Sequence, residues 1–127
     1  MHPLNLNEPL ASIAMAALAQ NGALVHFEYT DAFARVAAGF VVRWADDLYA
    51  YGNLCPHWSV PLGLEDDTIF DPRSAQLVCQ THGARFDVAS GHCLSGPCQG
   101  DALEALRVAS DEQAALVRIY RGAMLKI

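Results

Sequence analysis

Cys55-Pro56-His57 and Cys79-Gln80-Thr81-His82 are the two stretches on which the reading of this chain turns. Each places one thiol and one imidazole in a loop. A β-rich segment precedes each, residues 48–51 before the first and 76–78 before the second. Turn-type or small residues follow: Ser59, Pro61 and Gly63 after the first, Gly83 after the second. Between His57 and Cys79 lie 21 residues, enough for the chain to leave one loop and return with its twin. Two matched hairpin loops can close one Cys₂His₂ site from two sides.

Softness narrows the metal that such a site would take. Two thiolates with two imidazoles suit zinc or an iron–sulfur centre, whereas hard cations want carboxylates. Zinc sites usually draw both thiols from one loop, while here each loop mixes Cys with His. A Rieske [2Fe–2S] centre gives one iron both thiolates and the other both imidazoles, which two mixed loops can supply.

Outward from these loops the chain reads as short strands parted by turn chemistry. Residues 24–29 are β-rich, and 39–44 with 48–51 form a hairpin around Ala45-Asp46-Asp47. Segments 68–70 and 76–79 flank Asp71-Pro72-Arg73-Ser74, and 84–86 and 92–94 flank Ala89-Ser90-Gly91. The last pair, 105–109 and 114–120, flanks Ser110-Asp111-Glu112-Gln113. The rhythm predicts a small antiparallel β sandwich or barrel-like fold. One helix is expected before it, over residues 8–20. Asn7 would be its N-cap, Glu8 and Pro9 its first turn, and Asn21-Gly22 its stop. Leu10, Ile13, Ala14, Ala17 and Leu18 then make an apolar stripe at helical spacing.

Composition agrees with one domain over residues 1–127. The chain is 53% hydrophobic and 17% charged, with a net charge of −6 and no block of Lys and Arg. That argues against a nucleic-acid surface and against an anionic membrane surface. No apolar run approaches the ~18 residues of a membrane span. Ala17-Leu18-Ala19 imitates a cleavage site, but no Lys or Arg precedes it, so a cytoplasmic location with reduced thiols is expected. There is no Gly-x-Ser-x-Gly elbow, glycine-rich phosphate loop or His-Glu-x-x-His, so nucleophilic and zinc-protease catalysis have no support.

At the two loops the chain resembles the Rieske iron–sulfur family, whose signature is Cys-x-His followed by Cys-x-x-His. The resemblance extends through His82-Gly83-Ala84-Arg85-Phe86-Asp87, Ser90-Gly91 and Gly96-Pro97, and covers roughly residues 24–120. It implies one Rieske-type [2Fe–2S] cluster held by loops within about residues 53–98. Cys55 and Cys79 would bind one iron, His57 and His82 the other. Pro56, Trp58, Gly83, Gly96 and Pro97 would lie around the cluster, with Gly96-Pro97 as the covering proline loop. The implied role is one-electron transfer by a small soluble ferredoxin, not catalysis, between a flavin-dependent reductase and a terminal oxygenase or similar acceptor. An oxygenase would need a second iron site, and the stretch after the second loop contains no His beyond His92. Alternatives are a redox subunit of a larger complex, resembling a nitrite-reductase small subunit, and a zinc-binding structural module.

Two departures separate the chain from common relatives: the 21-residue spacer is long, and Ser59 stands where many carry Gly. Val60 and Thr81 occupy the positions that a disulfide joins in the respiratory relatives, so that bridge cannot form. Cys93 and Cys98, separated by the four residues Leu94-Ser95-Gly96-Pro97, are close enough for a local disulfide and equally readable as free thiols. His92 and His26 read as an exposed hairpin residue and an ordinary strand residue, Trp44 as core, and Glu65-Asp66-Asp67 as a solvated tip. Ala84 and Phe86 replace the Ser and Tyr whose hydroxyls raise the potential in the respiratory relatives. A midpoint near the low end of the Rieske span, roughly −150 mV, is therefore expected.

Overall fold

The computed structural model describes residues 8–31, 33–56, 60–64, 68–81 and 83–122. Ten strands run in chain order: β1 (Ala11–Ala14), β2 (Leu24–Thr30), β3 (Val36–Trp44), β4 (Asp47–Gly52), β5 (Phe70–Asp71), β6 (Gln76–Val78), β7 (Arg85–Asp87), β8 (Cys93–Ser95), β9 (Ala105–Asp111) and β10 (Leu116–Tyr120). They make a six-stranded sheet, β1-β10-β9-β4-β3-β2, and a four-stranded sheet, β5-β6-β7-β8. Every pairing between them is antiparallel. The fold is thus the all-β, antiparallel one that the strand rhythm predicts.

Alternation on β3 sends side chains to two cores. Phe40 and Val42 face the four-stranded sheet with Tyr51, Leu77 and Phe86, while Val41 faces Ile13, Leu106, Val117 and Ile119. All but Tyr51, Ile13 and Leu106 of these are wholly buried, and each large aliphatic or aromatic chain contributes on the order of 2 kcal/mol by leaving water. Tyr51 ties the layers together, donating its hydroxyl to the Val88 carbonyl at 2.7 Å.

One turn device recurs. Asp71, Asp87 and Asp111 each end a strand and accept a backbone N–H two or three residues on, from Arg73, Ser90 and Ala114. Four residues after each Asp the chain enters the left-handed region, at Ala75, Gly91 and Ala115. The Asp carboxylate fixes the start of the turn, and the positive φ returns the next strand into register.

The helix expected over residues 8–20 is not formed. Residues 11–14 are strand β1 instead, and Met15–Leu18 are a single 3-10 turn. The reason is the open edge of β10. Ladder pairs run from Ala11↔Ile119 to Ala14↔Leu116, and Leu10 and Met15 extend them by donating to Ile119 and Ala115. An unpaired β10 edge would leave those groups exposed as a template for other chains. Ile13 and Leu18 still reach the core, which is what the apolar stripe recorded. Asn21, expected as a helix stop, accepts the Ala45 N–H at 2.7 Å and so caps the β3–β4 turn.

Candidate metal centre

The first loop leaves β4 at Gly52, and Asn53 is the one buried polar residue of the described set, 5% exposed. Its amide nitrogen donates to the Gly63 carbonyl at 3.0 Å, and its oxygen accepts the Leu62 N–H at 2.8 Å. One side chain thereby clamps both ends of the loop. Nothing in the sequence distinguishes this Asn from a loop residue, and the sequence reading missed it.

Inside that clamp, Cys55 donates its N–H to the Val60 carbonyl at 2.7 Å. The second loop joins β6 to β7 and closes the same way: Cys79 donates to the Ala84 carbonyl at 2.8 Å. In both loops the closure spans residue i to i+5, with the cysteine at the first position and wholly buried. Gly83, at φ +71, donates to the Cys79 carbonyl, a turn conformation that favours glycine. The loops are joined directly, since Gln80 donates its N–H to the Leu62 carbonyl at 2.7 Å. Gln80 also reaches Thr68 O through its amide at 2.6 Å.

His57, Trp58, Ser59, His82 and the run Glu65-Asp66-Asp67 lie outside the described residues. Pro56 is half-buried, while Leu54 and Leu64 are exposed beside the first loop. Ala84 and Phe86, both wholly buried, offer no side-chain donor.

A third loop, residues 96–100, leans on the other two. Gly96 sits at φ +107, and a Cβ there would lie 2.9 Å from Ala84 Cα, so only glycine allows this approach. Cys98 is wholly buried, lies against Cys55, and donates its S–H to Cys93 Sγ at 2.7 Å. Burial first, then hydrogen bonding and charge from Cys93 and Cys55, push the Cys98 thiol far up and keep it protonated. Pro97 is exposed next to it. His92 is exposed and pairs with Ala102 through a backbone bridge. His26 lies on β2 with its ring 6.4 Å from Phe40, and Trp44 packs edge-on against Phe70 at 5.1 Å.

No curated protein sequence matches the chain. Among solved structures, it is 26% identical to the ferredoxin of carbazole 1,9a-dioxygenase from Nocardioides aromaticivorans IC177, with a TM-score of 0.66 over 90% of this chain and 98% of that one. A chain of a complex of reduced oxygenase and oxidized ferredoxin in carbazole 1,9a-dioxygenase superposes with a TM-score of 0.69 at 24% identity, over 92% and 99%. The terminal oxygenase of carbazole 1,9a-dioxygenase from Novosphingobium sp. KA1 contains the same fold: TM-score 0.65, 17% identity, 91% of this chain but 30% of that one. The family model for the Rieske [2Fe-2S] domain matches residues 17–120, most of the chain. With two buried cysteines at equivalent positions of two cross-linked loops, the chain belongs to the Rieske [2Fe–2S] domain family, whose cofactor is the cluster of that name.

Proposed function

We propose that this protein is a one-electron carrier in which Cys55 and Cys79 bind one iron of the cluster, and His57 and His82 the other. The observation that carries the reading is the pair of equal closures, Cys55 to Val60 and Cys79 to Ala84, joined through Gln80 and Leu62. The donor set fits the cofactor: two buried thiols are soft ligands, set in loops rich in backbone N–H groups and low in side-chain charge. When bound, the cluster would supply a single-electron couple. The chain's own residues keep water from the thiolate side, where Leu62, Leu77, Ala84 and Phe86 are packed. They also leave an apolar rim at Leu54 and Leu64 for a partner to cover.

The donor we assign is a flavin-dependent reductase and the acceptor a terminal oxygenase, with the whole chain acting as one cytoplasmic domain. The carbazole dioxygenase ferredoxin supports the oxygenase as acceptor, because it matches this chain over nearly its full length. Among the described residues no helix is long and apolar enough to cross a membrane. A second reading, a redox subunit fixed in a larger enzyme, is favoured by the recurrence of the fold within an oxygenase chain.

The test is anaerobic purification with metal analysis and low-temperature EPR of the reduced protein. Iron and acid-labile sulfide are expected in equal amounts, with the signal of a mixed Cys/His cluster. His57→Ala and His82→Ala should each lose it, and His92→Ala should keep it. A colourless protein with stoichiometric zinc overturns the reading.

A further inference from the structure

The β2–β3 turn is built to display an aromatic ring. Asp31 accepts the backbone N–H groups of Phe33 and Arg35 at 2.8 and 3.0 Å, and the Nε–H of Arg35 at 3.1 Å. Asp31 donates its own N–H to the Arg35 carbonyl at 2.8 Å, and Ala34 takes the left-handed φ of +62° that closes the reversal. The Arg35 guanidinium stacks 5.0 Å from the centre of the Phe33 ring. Phe33 is nevertheless 76% exposed, as is Val36, the first residue of β3. The exposure belongs to a held turn, and a side chain ordered beforehand costs less to bury on binding.

The position of the turn decides what it can serve. Asn53 donates its N–H to the Ala38 carbonyl at 2.9 Å, so the first loop leaves the sheet beside the start of β3. A groove of about 660 Å³ joins the two, lined by Phe33 and Val36 from the turn side and by Leu54 and Pro56 from the loop. A second depression, which holds Leu64, adjoins it and shares Ala38, Asn53 and Pro61. Four of the five large apolar side chains exposed among the described residues therefore lie on one continuous face. Grouping of this kind marks an interaction surface, whereas single exposed apolar residues do not. The charges of the groove are satisfied within the chain: Asp31 pairs with Arg35, and Glu104 accepts the Tyr29 hydroxyl at 3.4 Å.

We propose that this face docks an electron acceptor carrying an uncharged apolar patch, the terminal oxygenase, with Phe33 as the anchor that enters it. The proposal rests on the function proposed above and deepens it. Two features select the occupant. Leu54 and Pro56 flank Cys55, so a protein that covers the groove is brought against the first cluster loop, as an acceptor must be. A second copy is the poorer occupant, because each chain carries a net charge of −6 and the groove offers no unpaired cation to offset the repulsion.

The experiment uses anaerobically reduced holoprotein. The probe acceptor is the terminal oxygenase of carbazole 1,9a-dioxygenase from Nocardioides aromaticivorans IC177, the source of the 26% identical ferredoxin. Stopped-flow oxidation over a range of oxygenase concentrations gives the half-saturating concentration, and ferricyanide, too small to need the groove, reports on the cluster alone. Phe33→Ala with Val36→Ala should raise the half-saturating concentration about tenfold, with no comparable loss towards ferricyanide. Added NaCl should not weaken the parent complex. Equal half-saturating concentrations for parent and double variant overturn the proposal and leave the acceptor standing. A parent complex that salt dissociates also overturns it, since the acidic surface would then do the docking. A variant slowed equally towards ferricyanide overturns it as well, because the cluster rather than the contact has changed. A parent dimer in sedimentation that the double variant abolishes gives the face to a second copy instead. A parent with a normal cluster EPR signal that the oxygenase does not oxidise refutes the acceptor, and the occupant with it.

Discussion

Gln80 donates its backbone N–H to the Leu62 carbonyl at 2.7 Å, and this bond makes one site out of two loops that are far apart in the chain. On the first loop the same Leu62 donates its own N–H to Asn53. A chain of backbone and amide groups therefore runs from the end of β4, through the first loop, to the residue after Cys79. Rigidity of this kind keeps ligand geometry from changing when charge changes, which a fast electron carrier requires.

Asn53→Ala should be among the most damaging single changes outside the proposed ligands. It removes two hydrogen bonds and leaves the Leu62 N–H and Gly63 carbonyl without partners in a buried setting, a loss of about 2–4 kcal/mol. A lowered denaturation midpoint and faster loss of iron to a chelator are expected. Chelator kinetics equal to those of the unaltered protein would show that the clamp is dispensable.

How much of this could be read from the residues differs by element. The hairpins were legible because alternation and Asp-led turns coincide: Asp71 and Asp111 sit where the expected turns lie, and strands β5–β6 and β9–β10 flank them. The paired Cys loops were legible for the same reason, each standing at the end of a β segment. The segment at residues 8–20 was not, because Ile13 and Leu18 fit a helical stripe and also fit a strand followed by one tight turn. Only the position of the β10 edge decides between them, and that is a tertiary fact. Asn53 was missed because a polar residue before a loop looks solvated until the far end of the loop, ten residues on, is known to return to it. The contact between Cys98 and Cys55 joins positions 43 residues apart and has no local signal at all.

Acid should weaken the fold through its turn aspartates. Backbone N–H groups of Arg35 and Arg73 hold the carboxyls of Asp31 and Asp71 below the usual range, and the Arg118 guanidinium does so for Asp111. A depressed native value means that the stabilisation is complete above the unfolded carboxylate range, near pH 4, and is lost as pH falls through the lower native values. Urea midpoints should therefore be insensitive to these groups above about pH 5 and decline below pH 4. Asp71→Asn should shallow the acid decline, because Asp71 also bonds Ser74 and Arg85 and so links β5 to β7 across β6. An acid limb of equal steepness in that variant would assign the decline to other carboxylates.

The midpoint potential follows from what lines the second loop. Ala84 and Phe86 are wholly buried, and neither has a side-chain proton to offer a sulfur. Backbone N–H groups of the two loops remain as donors. With two hydroxyls fewer than the high-potential relatives, the protein should sit near the low end of the Rieske span, roughly −150 mV rather than +300 mV. Ala84→Ser with Phe86→Tyr should raise the midpoint. Film voltammetry at neutral pH measures both proteins. A parent midpoint in the upper half of the span refutes the low assignment. A double variant that keeps its cluster but does not shift would mean that backbone donors and burial, rather than the missing hydroxyls, set the value.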